Sequence, residues 1–199
     1  MSDDRPMSLR FPIAIVLSIV CLAAPAWADI QAGVDAYQRG DYAIALREWR
    51  PFAEQGDAQS QYNLGWLYFY GRGVPQDYAT ARQWYEKAAV QGDTRAATNV
   101  GTMYLGGYGV PQDYLTALYW LRRAADHGIA MAQGKLGVMY QEGLGATQDY
   151  VEAHKWYNLS AANGEQMGAE YRDALAKQMT PDQIALARKL AREWKPRDK

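Results

Sequence analysis

The segment Gly71-Arg72-Gly73-Val74-Pro75-Gln76-Asp77-Tyr78 returns as Gly107-Tyr108-Gly109-Val110-Pro111-Gln112-Asp113-Tyr114 and as Gly143-Leu144-Gly145-Ala146-Thr147-Gln148-Asp149-Tyr150, each time 36 residues on. A fixed period of this length marks small supersecondary units that bury their apolar faces only by stacking on one another. The full units are read as 57–92, 93–128 and 129–164.

Each unit divides into two helices at this segment. In the first helix, Leu64, Val100 and Leu136 correspond, followed by Gly65, Gly101 and Gly137, then Leu67, Met103 and Met139, then Tyr68, Tyr104 and Tyr140. With Ser60, Ala96 and Ala132 four residues earlier, the stripe falls at i, i+4, i+7, i+8, which is helical spacing with no strand alternation. A glycine at mid-helix costs about 1 kcal/mol against alanine, so another helix is expected to cross there too closely for a side chain. The second helix carries Tyr78, Ala81, Trp84, Tyr85, Ala88 and Ala89 and their echoes, large residues set to interlock with small ones. Gly92, Gly128 and Gly164 are expected as its left-handed C-caps.

Residues 29–56 read as an abbreviated N-terminal repeat: Asp41, Tyr42, Ala45, Ala53 and Gly56 match the second helix at the same period, while the first helix is cut short. Beyond Gly164 the period fades, and 165–199 reads as C-terminal capping helices. One is expected over Gln166 to Lys177. The last starts at Thr180-Pro181-Asp182-Gln183, a capping box with proline at the first helical position. Its apolar side holds Ile184, Leu186, Leu190 and Trp194, and its polar face is expected to end the stack.

The first 28 residues have the parts of an export leader: Arg5 and Arg10, an apolar run from Phe11 to Ala24, and Ala26-Trp27-Ala28 before the cleavage point. Cleavage after Ala28 leaves a periplasmic or secreted chain beginning at Asp29 with no stable membrane insertion; retention of the run as an anchor is the alternative. Met7 is a second candidate start, because Asp3 and Asp4 sit badly in a basic lead. Cys21 is the only cysteine and lies in the apolar run, so the exported part rests on its apolar core without disulfides. Val20 makes the context a poor lipidation signal. A formal net charge of -1 argues against nucleic acid as a partner.

The repeated loops invite a reading as phosphate cradles, yet they lack the preceding strand and the longer glycine pattern of a nucleotide loop. Gly71, Gly107 and Gly143 are instead expected at the positive φ that ends the first helix, and Asp77, Asp113 and Asp149 as caps of the second. His127 and His154 are not at equivalent positions and form no pair at metal-ligand spacing, and no serine or cysteine stands in a nucleophile's setting. No catalytic residue, metal or cofactor is therefore assigned.

The run Ala-x-x-x-Leu-Gly-x-x-Tyr-x-x-Gly-x-Gly-Val-x-x-Asp-Tyr-x-x-Ala-x-x-Trp-Tyr-x-x-Ala-Ala-x-x-Gly resembles the Sel-one-like repeats, a branch of the tetratricopeptide-like helical repeats. The resemblance covers Asp41 to Gly164, with departures at Ser60, Val100, Leu121, Ala146 and Ser160. It implies an all-α, right-handed α-solenoid whose first helices line a concave surface that binds proteins or assembles complexes. Some exported relatives with a disulfide in each unit are credited with binding or cleaving β-lactams. This chain has no cysteine after Cys21 and departs from that subgroup.

Recognition is expected where units differ. Trp66 is replaced by Thr102 and Val138, and with Tyr62, Phe69 and Tyr70 it makes an aromatic group confined to one unit. On the first-helix surface, Gln59, Tyr62, Asn63, Trp66 and Tyr70, with Arg95, Asn99, Thr102 and Lys135, are the candidate partner-binding residues. The competing reading packs Trp66 and Tyr62 against Trp49 and Phe52 to fill volume beside the incomplete first unit, and it is preferred. The leading function is a non-enzymatic scaffold for a protein or peptide in the cell envelope. An adaptor with a permanent partner and a hydrolase of β-lactam or cell-wall-type substrates are the alternatives.

Overall fold

The computed structural model describes residues 29–197; the reading of an export leader lies outside the described residues. Among the described residues there are ten α-helices and no strand: α1 (Ile30–Arg39), α2 (Tyr42–Glu54), α3 (Ala58–Tyr70), α4 (Tyr78–Val90), α5 (Thr94–Gly106), α6 (Tyr114–Asp126), α7 (Ala130–Glu142), α8 (Tyr150–Ala162), α9 (Gln166–Ala176) and α10 (Pro181–Glu193). Consecutive helices pack on one another from α1 to α9, and α10 turns back to lie against α8.

The helices end where the residues dictate. Gly71, Gly107 and Gly143 close α3, α5 and α7 at φ of 63°, 71° and 69°, the left-handed region that a side chain enters only with strain. The Asp77, Asp113 and Asp149 carboxylates accept backbone N–H groups in the first turns of α4, α6 and α8. One expectation is off by a residue: α4, α6 and α8 are capped by Gln91, His127 and Asn163, and Gly92, Gly128 and Gly164 follow at positive φ, one position beyond.

The mid-helix glycines mark close crossings. A Cβ on Gly65 would lie 2.6 Å from the Tyr85 ring, one on Gly101 2.6 Å from Leu121 Cγ, and one on Gly137 2.5 Å from the Tyr157 ring. Gly33 stands in the same relation to Trp49, so the short first unit keeps the device although its connection is only Gly40-Asp41. The second glycine of each loop does more than ease the turn. Gly73 abuts the backbone of Tyr42 and Ala43, Gly109 that of Tyr78 and Ala79, and Gly145 that of Tyr114 and Leu115, so each loop seats on the preceding unit.

The core runs the length of the stack through Leu64, Leu67, Val100, Met103, Leu136 and Met139 of the first helices and the alanines, Tyr85, Leu121 and Tyr157 of the second. Buried amides stitch alternate junctions. Gln61 Nε2 donates to the Ala53 carbonyl at 3.0 Å, and Gln133 Nε2 donates to the Ala125 carbonyl at 3.2 Å. Each in turn accepts from the following second helix's end, Gln91 and Asn163.

At the C-terminus the Thr180–Gln183 capping box forms as expected. Leu186 departs from its expected place on the apolar side of α10: it is 47% exposed, and the small Ala187 makes the close contact instead. Trp194 meets Trp156 edge-on at 6.2 Å. The chain then reaches α6, where the Arg197 N–H donates to the Asp126 carbonyl at 2.7 Å and its guanidinium lies 3.3 Å from the Asp126 carboxylate.

Candidate binding cleft between the first and third helices

Gln59, Tyr62, Asn63 and Trp66 project from α3 at i, i+3, i+4, i+7 and share one cleft of about 340 Å³ with Val34, Tyr37 and Gln38 of α1 and Trp49 of α2. Two connections set it up. The two-residue Gly40-Asp41 turn holds α1 close to α2, and the Asp57 carboxylate caps α3 by accepting the Ser60 N–H at 2.7 Å.

One wall is aromatic. Trp66 contacts Tyr37 edge-on at 5.1 Å, Tyr42 at 6.2 Å and Tyr70 at 4.8 Å between ring centres. Trp49 is one ring further, 5.9 Å from Tyr37, and its indole N–H donates to the Ile30 carbonyl at 3.2 Å. The expected partners differ: Trp66 meets the first unit through Tyr37 and Tyr42 rather than through Trp49 and Phe52, and Tyr62 packs on Tyr85 of α4 instead. Trp66 is only half-buried, and its remaining surface lines the cleft.

The rim is polar. Gln59 Nε2 donates to Asn63 Oδ1 at 2.9 Å, and Gln59 Oε1 accepts from Arg95 Nη2 at 2.7 Å. Arg95 is held by Asp93 at 2.6 Å, and its guanidinium lies 4.3 Å above the Tyr62 ring. Burial pushes the Tyr62 phenol above its usual range, with the Arg95 charge pulling the other way. Tyr37 is raised by burial as well, so both phenols stay protonated and available as donors at neutral pH.

The remaining candidates are not all brought together. Tyr70 flanks Trp66 in the open. Asn99 stands one layer behind, bonded to the Tyr85 hydroxyl. The Thr102 hydroxyl donates to the Thr98 carbonyl of its own helix at 2.8 Å. Lys135 is on α7, where burial lowers its pKa against the opposing charge of Glu165. Tyr37, Val34 and Gln38 escaped the sequence reading because the short connection shifts α1 out of the 36-residue register. The signal that would have found them is Gly33: it faces Trp49 as Gly65 faces Tyr85, and aligning on it places Tyr37 beside the cleft.

Among the described residues no three His, Cys, Asp or Glu side chains come together to hold a metal, and no helix is long and apolar enough to cross a membrane.

The model of the Sel1 repeat matches residues 58–93, 94–129 and 130–165, more than half of the chain. The chain belongs to the Sel1 repeat family. Its architecture is accordingly the right-handed α-solenoid that the resemblance implied. The crystal structure of a Sel1 repeat protein from Oxalobacter formigenes is similar at 31% identity and a TM-score of 0.70, over 75% of this chain and 62% of that one. The crystal structure of c5321, a protective antigen present in uropathogenic Escherichia coli strains and displaying an SLR fold, is similar at 30% identity and a TM-score of 0.52, over 83% of this chain and 44% of that one. This Sel1 repeat protein therefore spans less than two thirds of the length of either relative. No curated protein matches it. Sel1 repeats generally serve as scaffolds for protein interaction.

Proposed function

We propose that this Sel1 repeat protein is a non-enzymatic scaffold of the cell envelope that holds a protein or peptide partner on its first-helix face, anchored in the α1–α3 cleft. The observation that carries this reading is the half-buried Trp66, set in an aromatic wall with a polar rim at the junction where the short first unit breaks the register of the repeats. An apolar side chain entering beside Tyr37, Trp49 and Trp66 would be desolvated on several sides, while Gln38, Asn63 and the phenols bond to the backbone that carries it. Aromatic anchors ringed by polar groups are where binding energy concentrates in protein interfaces.

The leader-like N-terminus supports a place outside the cytoplasm, as does the description of one structural relative as a protective antigen. N-terminal sequencing of the mature protein should find Asp29 first; an intact leader would sink that assignment. For binding, a partner captured from an envelope extract is titrated against wild type and Trp66→Ala. The expected result is at least ~10-fold weaker binding, about 1.4 kcal/mol, by a variant that remains folded. Equal affinity for the two would refute the cleft as the site.

A further inference from the structure

Leu115, Leu118, Tyr119, Arg122, Arg123 and Asp126 of α6 fall at i, i+3, i+4, i+7, i+8, i+11 and line a groove of about 530 Å³, with His127 and Arg197 at one end. Leu115 is 70% and Tyr119 58% exposed, an unusual amount of apolar surface to leave in water. The stripe belongs to this unit alone: α4 has Ala79, Arg82, Gln83 and Glu86 where α6 has Leu115, Leu118, Tyr119 and Arg122.

The same surface one unit later shows what it can accept. On α8 the corresponding positions include His154 and Leu159, and α10 lies against that helix. His154 is left 1% exposed, and Leu159 joins a cluster with Ala191 and Trp194 of the C-terminal helix and its cap. This face of a second helix in the stack is thus already a docking site for one amphipathic helix. On α6 the equivalent face is bare.

Charge selects the occupant. Among the described residues Arg122 and Arg123 have no carboxylate at ion-pair distance. Arg122 donates to the Tyr140 hydroxyl and lies 5.2 Å from the Trp156 ring centre, and Arg123 lies over Trp120 at 5.6 Å. Arg197 shares the single carboxylate of Asp126. Three guanidinium groups therefore border an apolar strip with one carboxylate among them. A cationic helix laid there would be repelled, and a neutral one would bury guanidinium groups without an anion.

We propose that the α6 stripe is a second docking surface, for an amphipathic helix of a protein partner whose apolar side chains cover Leu115, Leu118 and Tyr119 and whose carboxylates meet Arg122, Arg123 and Arg197. It shares no lining residue with the α1–α3 cleft, although Gln59 and Arg95 at the cleft's rim border a groove that continues to Arg123, His127 and Arg197.

The test is calorimetric titration of the full chain with a synthetic peptide of about 18 residues, long enough to form a helix. It carries leucines at i, i+3, i+4, i+7 and glutamates on the flanks; its lysine-for-glutamate counterpart is the control. The acidic peptide binds wild type, and binding weakens at least ~10-fold with Leu115→Asp, with Arg123→Glu and with the lysine peptide. Trp66→Ala leaves it unchanged. Leu115 and Arg123 are peripheral enough for both variants to fold, and circular dichroism checks this. No binding to wild type, equal binding of the two peptides, or indifference to both variants overturns the proposal. So does sedimentation showing a dimer that Leu115→Asp dissociates, because the stripe would then be covered by a second copy of the chain.

Discussion

A Cβ added to Gly109 would stand 2.5 Å from the carbonyl carbon of Tyr78, so the second loop rests directly on the backbone that opens the preceding unit's second helix. Gly109 also has a φ of 66°. Gly109→Ala therefore combines left-handed strain of about 1–2 kcal/mol with an overlap of about 1–3 kcal/mol. Gly92→Ala, at a φ of 100° with nothing within 4 Å of its Cβ, carries the strain alone. Urea unfolding should show Gly109→Ala clearly less stable than Gly92→Ala. Equal losses would mean that the loop can lift away without cost.

Two tryptophans separate packing from recognition. Trp156 is 1% exposed in the core, whereas Trp66 is half-buried. Trp156→Ala should cost about 3–5 kcal/mol, and Trp66→Ala about 1–3 kcal/mol. If Trp66→Ala unfolds the protein as readily as Trp156→Ala, its role is to fill volume and the cleft reading fails.

Gln133 is fully buried, donating to the Ala125 carbonyl and accepting from Asn163. Gln133→Ala removes both bonds while the Gly128 N–H still donates to the Ala125 carbonyl, so the loss should be about 1–2 kcal/mol. Hydrogen exchange should localise the loss to the junction of α6, α7 and α8. Faster exchange only in α1 or α2 would contradict the assignment.

The stack should weaken in mild acid through His154. Burial lowers its pKa below 6.5, Arg188 and Arg172 push the same way, and Asp173 opposes them; Asn158 Nδ2 lies 2.9 Å from its Nδ1. Between the folded and unfolded pKa values the unfolded chain holds a proton that the folded chain does not. Stability therefore falls as pH drops below about 6.5 and is level above it. His154→Gln should flatten the dependence of Tm on pH between about 7.5 and 5. Parallel curves for variant and wild type would exclude His154 as the cause.

Repetition made much of this molecule legible. Gly65, Gly71 and Asp77 recur with their neighbours in place, and a residue type that returns at one spacing in three units must answer to a local backbone need. The mid-helix crossing, the left-handed turn and the aspartate cap follow from that alone. What repetition hides is the contact between unlike parts. The Gly73 and Gly109 contacts join one unit to the next, and α1 meets Trp66 through a connection that breaks the register. Leu186 was misplaced because an apolar residue at helical spacing does not say which face a neighbour covers; the return of α10 onto α8 put Ala187 there. The α6 stripe was visible as letters, but its bareness needed α10 and Arg197 to be located.

His127 Nδ1 lies 3.0 Å from the Arg197 carbonyl, 70 residues on, and Arg197 also meets Asp126, so the tail ties back across a stack whose helices otherwise meet mainly their neighbours in sequence. Linear stacks of repeats unravel from whichever terminus is loose, since a terminal unit has one partner where an inner unit has two. Here the two termini are unequal. At one end of the described residues α1, ten residues long, packs principally on α2 and touches α3 through Tyr37 and Trp66, so little has to be undone to release it. At the other, releasing the tail means undoing contacts on α6 and α8 together, so unravelling has a direction, from the cleft-bearing end inward.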